Sequence, residues 1–528
     1  MQTTQNQGDE GLAGSPAYPP ERESSVFGTE TPDRNSGAIA GVYPGRTPEN
    51  GLPSHGSLFS GAVSEDLNGF AAPIWNPKPY QLRGVEWLVT RPEAGLFLPP
   101  GMGKTSITLA AQALLGRMGR PNRMLVLAPL TVCLTTWLSE PIKWRQFQGL
   151  KLGLAHGPDK EIILKDPYYD IVIMNYDGLA WAAPMLMQGH QFAILCNDEL
   201  TRLKNCASKR YKLIKPVLPS FTFRWGLTGT PAANGLTDLF GQCYILDLGR
   251  RLGRFVTHFR MKYLYQEPWD QYRYYIKPEK AELLIKNIAD MCMYLDPKDH
   301  LQLPGLMDIP IPIILSPELL KEYKVLEVAF IIKLKEGIVT AANAGVLTSK
   351  LRQYTGGGMY LTDDEGYRTS IHIHDAKLDR LEQLVDEMAG EPLLVAYQFN
   401  HELERLQKRF PEALAIRGGM KKSDLQDIVA TWNSGNHRLL FVQPTAAALG
   451  LNLQFGGSAI CWFSLTYNLE EFIQLIARLY RQGQKDVVRN YMLLADKTID
   501  GLVAELMVEK NATQESVFAG LKAYSNLI

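Results

Sequence analysis

The 528-residue chain has no excess of charge of either sign, because 55 lysines and arginines balance 55 aspartates and glutamates. This balance excludes a basic tail as the main anchor for nucleic acid but leaves room for a local basic groove. The six cysteines form no CxxC pair, which argues against a zinc ribbon and indicates reduced thiols. The first residues show no charged stretch followed by an apolar one, so we expect no signal peptide, and no apolar run is long enough to span a bilayer. We therefore expect a cytoplasmic protein without a membrane partner.

Residues 1–68 contain few of the large apolar side chains that a folded core needs. They are rich in Gly, Ser, Pro and Thr, and their few large apolar residues show no period. Such a segment cannot bury enough surface to offset its ordering entropy, so we predict a disordered tail. The remaining length is more than one compact core usually holds, and we expect at least two domains.

Two stretches, 69–247 and 376–528, alternate short apolar runs with helical patterns. Strands are predicted at 95–99, 124–128, 171–175, 192–197 and 223–227, and then at 393–397, 439–442, 459–463 and 488–494. Helices are predicted at 104–117, at 132–144 and from residue 376. Apolar strands interleaved with helices predict parallel sheets covered on both faces, and hence an α/β protein of two lobes.

The stretch between the lobes, 248–375, is predicted to be a helical insertion. It opens with aromatic and basic residues, among them Phe255, Phe259, Tyr263 and Trp269. Aromatics interleaved with cations can stack bases and hold phosphates. The alternative, which we favour, is the apolar face of the inserted helices.

A glycine-rich loop follows the first predicted strand and precedes a helix. It contains Gly101, Met102, Gly103, Lys104, Thr105 and Ser106. Glycines let backbone N–H groups point at phosphates, Lys104 would reach the β- and γ-phosphates, and the Thr105 hydroxyl would bind Mg²⁺. Leu98 stands where the strict pattern has glycine, and the alternative is an ordinary turn before a helix.

The predicted strand 192–197 is followed directly by the carboxylates Asp198 and Glu199. Strand ends of a parallel sheet share one edge, so these carboxylates are expected beside the glycine-rich loop. Asp198 would hold Mg²⁺, and Glu199 would orient and deprotonate a water molecule. Taken alone, an Asp-Glu pair would more simply be a solvated helix start.

Two further motifs have small or cationic side chains suited to a nucleotide. Thr228 and Thr230 end another predicted strand, where they could sense the γ-phosphate or merely form a turn. Gln474, Arg478 and Arg481 have helical spacings of four and three, which predicts one shared helix face. Arginines that point across a lobe interface can neutralise γ-phosphate charge; the alternative is a solvated face with ion pairs.

The order of these motifs resembles superfamily-two helicases, specifically the Swi/Snf-type branch of duplex-DNA translocases, in a compact form like those of bacteriophages. Residues 79–88 resemble the adenine-recognising Q motif, with Gln81 as its glutamine, and 124–130 resemble motif Ia, with Trp137 downstream. The other similar segments are 198–205 for motif II, 227–231 for III, 394–399 for IV, 443–454 for V and 474–484 for VI.

The resemblance implies two RecA-like lobes with ATP and Mg²⁺ between them. Within motif V, it implies nucleic-acid or coupling roles for Thr445, Gly450 and Asn452. The expected partner is DNA as a duplex, fork or junction, bound largely at phosphates and without sequence preference, with RNA as a further possibility. A monomer is expected, and no protein partner is indicated.

The chain departs from the family pattern in two places. Leu200 and Thr201 replace the usual Ala-His of motif II, which puts the coupling of hydrolysis to nucleic-acid binding in question. Gln443 and Pro444 stand in motif V where small residues are common. Three functions stay open: a DNA translocase, a strand-separating helicase on DNA or RNA, and a non-enzymatic nucleic-acid-binding scaffold.

Overall fold

The structure is a computed structural model that describes residues 72–268, 274–335, 341–362 and 368–525. The predicted tail 1–68 lies outside the described residues, as does Trp269 of the aromatic stretch. In the part of the chain that the structure describes, no helix combines the length and the apolar character needed to cross a bilayer.

The first lobe contains a parallel sheet that positions the predicted motifs at one edge. Its strands, with the short pair β7 and β8 beside them, are β1 (Glu93–Phe97), β2 (Met124–Ala128), β3 (Leu152–Leu154), β4 (Ile171–Asn175), β5 (Ile194–Asp198), β6 (Phe223–Thr228), β7 (Leu264–Tyr265), β8 (Tyr275–Ile276) and β9 (Cys292–Met293). The strand order is β3-β4-β2-β5-β6-β1-β9, and each neighbouring pair is parallel. Strands β2 and β5 are buried along their whole length, which explains their continuous apolar runs.

Helices cover both faces of this sheet. They are α1 (Pro79–Thr90), α2 (Lys104–Arg117), α3 (Leu130–Val132), α4 (Leu138–Lys143), α5 (Lys160–Lys165), α6 (Leu179–Met187), α7 (Lys209–Ile214), α8 (Leu239–Asp247), α9 (Val256–Tyr263), α10 (Pro278–Ile288) and α11 (Pro297–His300). Helix α2 packs against α1 and α4 on one face. Residues of α6 to α10 share one apolar core with the other face.

The second lobe repeats this plan. Its strands are β10 (Leu306–Ile313), β11 (Gly358–Thr362), β12 (Arg368–His372), β13 (Leu393–Ala396), β14 (Leu414–Ile416), β15 (Leu439–Val442), β16 (Ala459–Trp462) and β17 (Val488–Ala495). A parallel sheet has the order β10-β17-β16-β13-β15-β14, and β11 and β12 form a separate antiparallel hairpin. The helices are α12 (Pro317–Lys335), α13 (Ala341–Thr355), α14 (Ala376–Glu387), α15 (Asn400–Arg409), α16 (Lys422–Asn433), α17 (Leu469–Ile476) and α18 (Ile499–Ser525). Two parallel-sheet lobes in tandem are the predicted fold class.

The stretch 248–375 differs from the predicted helical insertion, because it contributes strands to both sheets. Strand β9 pairs with β1 of the first lobe, and β10 pairs with β17 of the second over its whole length. The first sheet thus extends past residue 247, and the second begins before residue 376. Strand β10 was missed because Pro310 and Pro312 interrupt its apolar pattern, and proline is tolerated at such a sheet edge.

The aromatic residues that open this stretch have two different environments. Phe259 and Tyr263 are buried in the first-lobe core, as the favoured alternative predicts. Phe255, Tyr265 and Tyr275 are exposed to solvent. Only some of the aromatic residues that open this stretch therefore belong to the core.

Helix α18 belongs to both lobes. Val503 and Met507 near its start lie in a second-lobe core, whereas Val517, Phe518 and Leu521 near its end lie in the first-lobe core. The ring of Phe518 stacks on Tyr294 of the first lobe with centroids 4.1 Å apart. A single helix therefore links the apolar cores of the two lobes.

Truncating this contact is expected to destabilise the protein. Phe518 is 4% exposed, so Phe518→Ala should lower the free energy of unfolding by about 3 to 5 kcal/mol, as for other buried phenylalanines. Chemical denaturation followed by tryptophan fluorescence measures the change. Val508→Ala is the control, because Val508 lies on the same helix and is 72% exposed. An equal, small effect of both substitutions would show that the end of α18 does not depend on this core.

Candidate nucleotide site between the two lobes

The glycine-rich loop lies between β1 and α2, as the sequence predicts. Gly101 and Gly103 have φ angles of +87° and +77°, the left-handed region that glycine adopts without strain. A Cβ atom on Gly103 would lie 2.5 Å from Nε2 of Gln81, so a side chain there would displace Gln81. Lys104 is the first residue of α2, and its Nζ donates to the Leu98 carbonyl at 2.7 Å. The loop thus has the form of a phosphate cradle at a helix N-terminus.

A cavity of about 590 Å³ lies beside this loop. The Tyr80 hydroxyl, at its wall, donates to the carbonyl of Met102 in the loop at 3.3 Å, and the Tyr80 ring stacks on His300. Gln81 accepts the Lys78 N–H through Oε1 at 2.9 Å, which orients its amide toward Gly103. The other lining residues include Lys78, Pro79, Asp299 and Gln302, with Gln482 and Gly483 from the second lobe. The size and position of the cavity suit a base attached to phosphates in the loop.

Asp198 and Glu199 lie at the end of β5, and Asp198 is buried. The Trp137 indole donates to Asp198 Oδ2 at 2.8 Å, and the Glu199 backbone N–H donates to Oδ1 at 3.1 Å. Glu199 has a φ of +56°, which residues other than glycine rarely adopt, and such strain concentrates at functional sites. Its buried Oε2 has no hydrogen-bond partner among the described residues. An unpaired buried carboxylate oxygen indicates a place for a ligand or a water molecule.

Burial shifts the pKa values of the charged side chains at the site. Burial lowers the pKa of Lys104, while the nearby carboxylates of Glu199 and Asp198 oppose this shift. Burial, followed by the charges of Glu470 and Asp198, raises the pKa of Glu199 to about 8. Perturbed pKa values of this kind cluster at catalytic and binding sites.

The predicted motif VI residues reach the site, but the helix that carries them is shorter than predicted. Helix α17 ends at Ile476, so Arg478 and Arg481 lie in the following turn rather than on one helix face with Gln474. Gly483, with a φ of +100°, is part of that turn. The spacing of four and three residues between Gln474, Arg478 and Arg481 therefore does not mark one helix face, because the two arginines lie in a turn.

The two arginines of this turn face the first lobe. The Arg481 Cβ lies 3.6 Å from the place where a Cβ on Gly101 would be, so Arg481 packs directly over the glycine-rich loop. Burial, followed by the charge of Arg481, lowers the pKa of Arg478 to about 10. The buried Nε of Arg478 has no partner within the described part of the chain. The second lobe thus places two half-buried cations opposite the phosphate loop.

The predicted motif III threonines lie beside the same loop. Thr228 and Thr230 are both buried, and the Thr230 N–H donates to Thr228 Oγ1 at 3.1 Å. A Cβ on Gly229 between them would lie 2.9 Å from Pro100. A movement of the glycine-rich loop would therefore displace the segment from Thr228 to Thr230 directly.

The predicted motif V residues lie elsewhere in the interface. Thr445 and Asn452 are exposed. Gly450 has a φ of +70°, and a Cβ there would lie 3.0 Å from Oγ1 of Thr136, which follows motif Ia in the first lobe. The structure thus brings Gly450 of motif V next to the residues that follow motif Ia.

Three residues at the site carried no assigned role in the sequence analysis. Glu470 of the second lobe accepts from the Thr201 hydroxyl at 3.4 Å and from the Gln474 amide at 3.2 Å. Trp137 contacts Asp198, and Glu140 accepts from the Ser106 hydroxyl. The unusual Thr201 in motif II was the available signal for Glu470, but the two residues are 269 positions apart in sequence.

Comparison with known proteins identifies the family. Residues 80–290 match the SNF2-related domain, and residues 376–483 match the helicase conserved C-terminal domain. A putative protein, p41, of Acyrthosiphon pisum secondary endosymbiont phage 1 is 32% identical over 464 residues, which cover 85% of this chain and 99% of p41.

This chain spans less than half the length of one more distant relative. The ISWI chromatin-remodeling complex ATPase ISW1 of Saccharomyces cerevisiae is 27% identical over 82% of this chain and 40% of its own length. The solved Sulfolobus solfataricus SWI2/SNF2 ATPase core in complex with dsDNA is 21% identical, with a TM-score of 0.41, over 85% of this chain and 94% of that chain. On the domain matches and the phage relative, this chain belongs to the SNF2-related, Swi/Snf-type branch of superfamily-two helicases, the ATP-dependent DNA translocases and remodellers.

Proposed function

We propose that this chain is an ATP-driven motor that moves along duplex DNA. The observation that carries the proposal is the position of Arg478 and Arg481, two half-buried cations of the second lobe, opposite the glycine-rich loop of the first. A site completed by both lobes changes when the lobes move, which is what coupling hydrolysis to movement requires. The yeast relative named as a chromatin-remodeling ATPase supports the choice of DNA.

ATP would bind with its phosphates on the loop from Gly101 to Thr105 and its base in the cavity beside Gln81. Lys104 would turn from the Leu98 carbonyl to the β- and γ-phosphates. The breadth of the cavity, walled by both lobes, means that a bound base would touch Gln482 and Gly483 as well as the Q motif. Nucleotide binding should therefore favour the arrangement in which the lobes lie together.

The residues present fit Mg²⁺. No cluster of three or more His, Cys, Asp or Glu side chains suited to a metal occurs in the described residues. Mg²⁺ bound with ATP needs only one or two protein oxygens, and Asp198, oriented by Trp137, and the Thr105 hydroxyl would supply them. The ion would neutralise charge on the phosphates.

Hydrolysis would be carried out by residues from both lobes. The unpaired Oε2 of Glu199 would orient the attacking water and accept its proton. Arg478 and Arg481 would stabilise negative charge on the γ-phosphate, with Gln474 held in place by Glu470. Thr228 and Thr230 would transmit the state of the phosphate.

Nucleic acid would lie along the junction of motifs Ia and V. Gly450 meets Thr136 there, and the exposed Thr445 and Asn452 are free to face a backbone. Contacts at phosphates would make binding independent of sequence and sensitive to salt. Each opening and closing of the two lobes would advance the motor along the strand. We further propose that a monomer suffices for this activity.

The deciding experiment compares steady-state ATP hydrolysis without nucleic acid and with single-stranded DNA, duplex DNA, forked DNA and RNA. We expect the largest stimulation with plain duplex, and no stimulation in Lys104→Ala. Stimulation restricted to single strands or forks, together with ATP-dependent unwinding of a fluorescent forked duplex, would favour a strand-separating helicase. Absence of hydrolysis with every nucleic acid would favour a scaffold.

A further inference from the structure

Helices α7 and α9 of the first lobe carry an unusual concentration of positive charge. Segments 207–215 and 248–266 contain no Asp or Glu, although acidic and basic residues balance over the whole chain. We call the following exposed or partly exposed side chains of these segments the basic face: Lys209, Lys212, Lys215, Arg254, Arg260 and Lys262. Such a local charge stands out in a protein with no net charge.

The two helices are neighbours in space because both pack on α8. Phe259 of α9 contacts Phe240 of α8 with ring centroids 4.9 Å apart, and Tyr211 of α7 contacts Tyr244 of α8 at 5.9 Å. Burial raises the pKa of Cys206, and the nearby charges of Lys215 and Arg260 oppose that rise. Charges from both helices therefore act on the same region.

Within the described part of the chain, the cations of the basic face differ from the other arginines of these segments in their ion pairing. Three other arginines in these segments do have acidic partners: Arg210 pairs with Asp177, Arg250 with Glu93 and Arg251 with Asp290. In contrast, the six side chains of the basic face form no ion pair with any described residue.

Three of these six side chains lie over aromatic rings, among them Lys262, whose Nζ is 5.0 Å from the centre of the Tyr263 ring. Arg260 lies over the Tyr274 ring at 4.3 Å, and Lys215 lies over the Tyr244 ring at 4.6 Å. These contacts hold the cations in place, and an aromatic ring does not neutralise their charge as an acidic partner would. Like charges gathered on one surface repel each other, so the fold gains nothing from their grouping.

The basic face lies apart from the nucleic-acid track proposed above. Helix α4, which follows motif Ia, packs with α2 on one face of the first sheet. Helices α7, α8 and α9 contribute to the core on the opposite face. A DNA segment at the basic face would therefore be separate from the segment at motifs Ia and V.

We propose that the basic face binds the phosphate backbone of a second duplex DNA segment, so that one protein molecule holds two duplexes. The exposed cations match the regular negative charge of a duplex, and the absence of acidic residues removes local repulsion of phosphates. Binding through lysine and arginine to phosphates needs no base sequence. This activity goes beyond the proposed motor because it requires no ATP.

The test uses the full chain, two short blunt duplexes labelled with a fluorescence donor and an acceptor, and no ATP. The unaltered protein should bring the duplexes together and produce energy transfer that decreases with salt. The test variant combines K212Q, K215Q, R260Q and K262Q. The control variant makes the same change of charge at exposed lysines on other elements: K151Q, K165Q, K321Q and K408Q.

We expect the test variant to need about tenfold or more higher protein concentration for half-maximal energy transfer, because several phosphate contacts are lost. The control variant should behave like the unaltered protein, and duplex-stimulated ATP hydrolysis should stay unchanged in both. Equal energy transfer in the two variants, or no energy transfer with the unaltered protein, would overturn the proposal. The proposal would also be overturned if light scattering showed that the protein is a dimer under all conditions in which energy transfer occurs.

The same experiment separates this proposal from the motor. Energy transfer without any stimulation of ATP hydrolysis would refute the motor and support the basic face. Stimulation of ATP hydrolysis without energy transfer would support the motor and refute DNA binding by the basic face. Thermal unfolding of both variants checks that the substitutions leave the fold intact.

Discussion

Glu199→Gln is expected to lower the rate of ATP hydrolysis by about 100-fold or more and to leave DNA binding intact. Glutamine keeps the size of the side chain but cannot accept a proton, and a general base contributes about 10²- to 10⁴-fold. The buried Oε2 of Glu199, which has no hydrogen-bond partner among the described residues, and the raised pKa of this side chain support our proposal that Glu199 takes the proton. Phosphate release and DNA-binding titrations on the same preparation measure both properties.

The control for this variant is Glu161→Gln, which makes the same chemical change at an exposed position on α5 of the first lobe. The control should hydrolyse ATP at the rate of the unaltered protein. If Glu199→Gln retained half of that rate, the water-activating group would have to lie elsewhere. Loss of DNA binding along with hydrolysis would instead indicate that the variant perturbs the lobe as a whole.

The central strands of both lobes were predictable because their burial is recorded in continuous apolar runs. The prediction for 124–128 and 171–175 agrees with β2 and β4, whose neighbours on both sides are other strands. Strand β9 is only two residues long, and β10 contains two prolines, so neither shows the pattern that identifies a buried strand. Short strands and strands at a sheet edge are held by their partners more than by their own composition.

The glycine-rich loop and the two carboxylates were predictable for a different reason. Their chemistry requires residues that are adjacent in sequence, such as Asp198 next to Glu199, at a strand end. The contacts between the lobes were not predictable in this way. The bond from Thr201 to Glu470 joins residues far apart in sequence, and Arg478 lies beyond the end of helix α17 at Ile476 although the residue spacing suggested a continuous helix.

Arg481→Ala is expected to lower the maximal rate of ATP hydrolysis by about 10³-fold, as for other arginines that stabilise charge on a transferring phosphate. The Cβ of Arg481 lies over Gly101 of the phosphate loop, so its guanidinium is within reach of a phosphate bound there. Arg481→Lys should recover only part of the rate, because lysine restores the charge without the two-pronged geometry of the guanidinium. The effect should appear in kcat more than in KM, since the charge on the phosphate grows in the transition state.

The same substitution should not destabilise the protein, and this separates a catalytic role from a structural one. Burial lowers the pKa of Arg481, with the charge of Glu140 opposing this shift, and the charge of Arg481 in turn lowers the pKa of Arg478. Removing it relieves this repulsion, so the melting temperature of Arg481→Ala should be equal to or higher than that of the unaltered protein. The control is Arg409→Ala, which removes a positive charge that pairs with Asp379 and Glu382 on the second lobe, and it should leave kcat unchanged. A slow Arg481→Ala with a lowered melting temperature would mean that Arg481 holds the lobes together instead of acting on ATP.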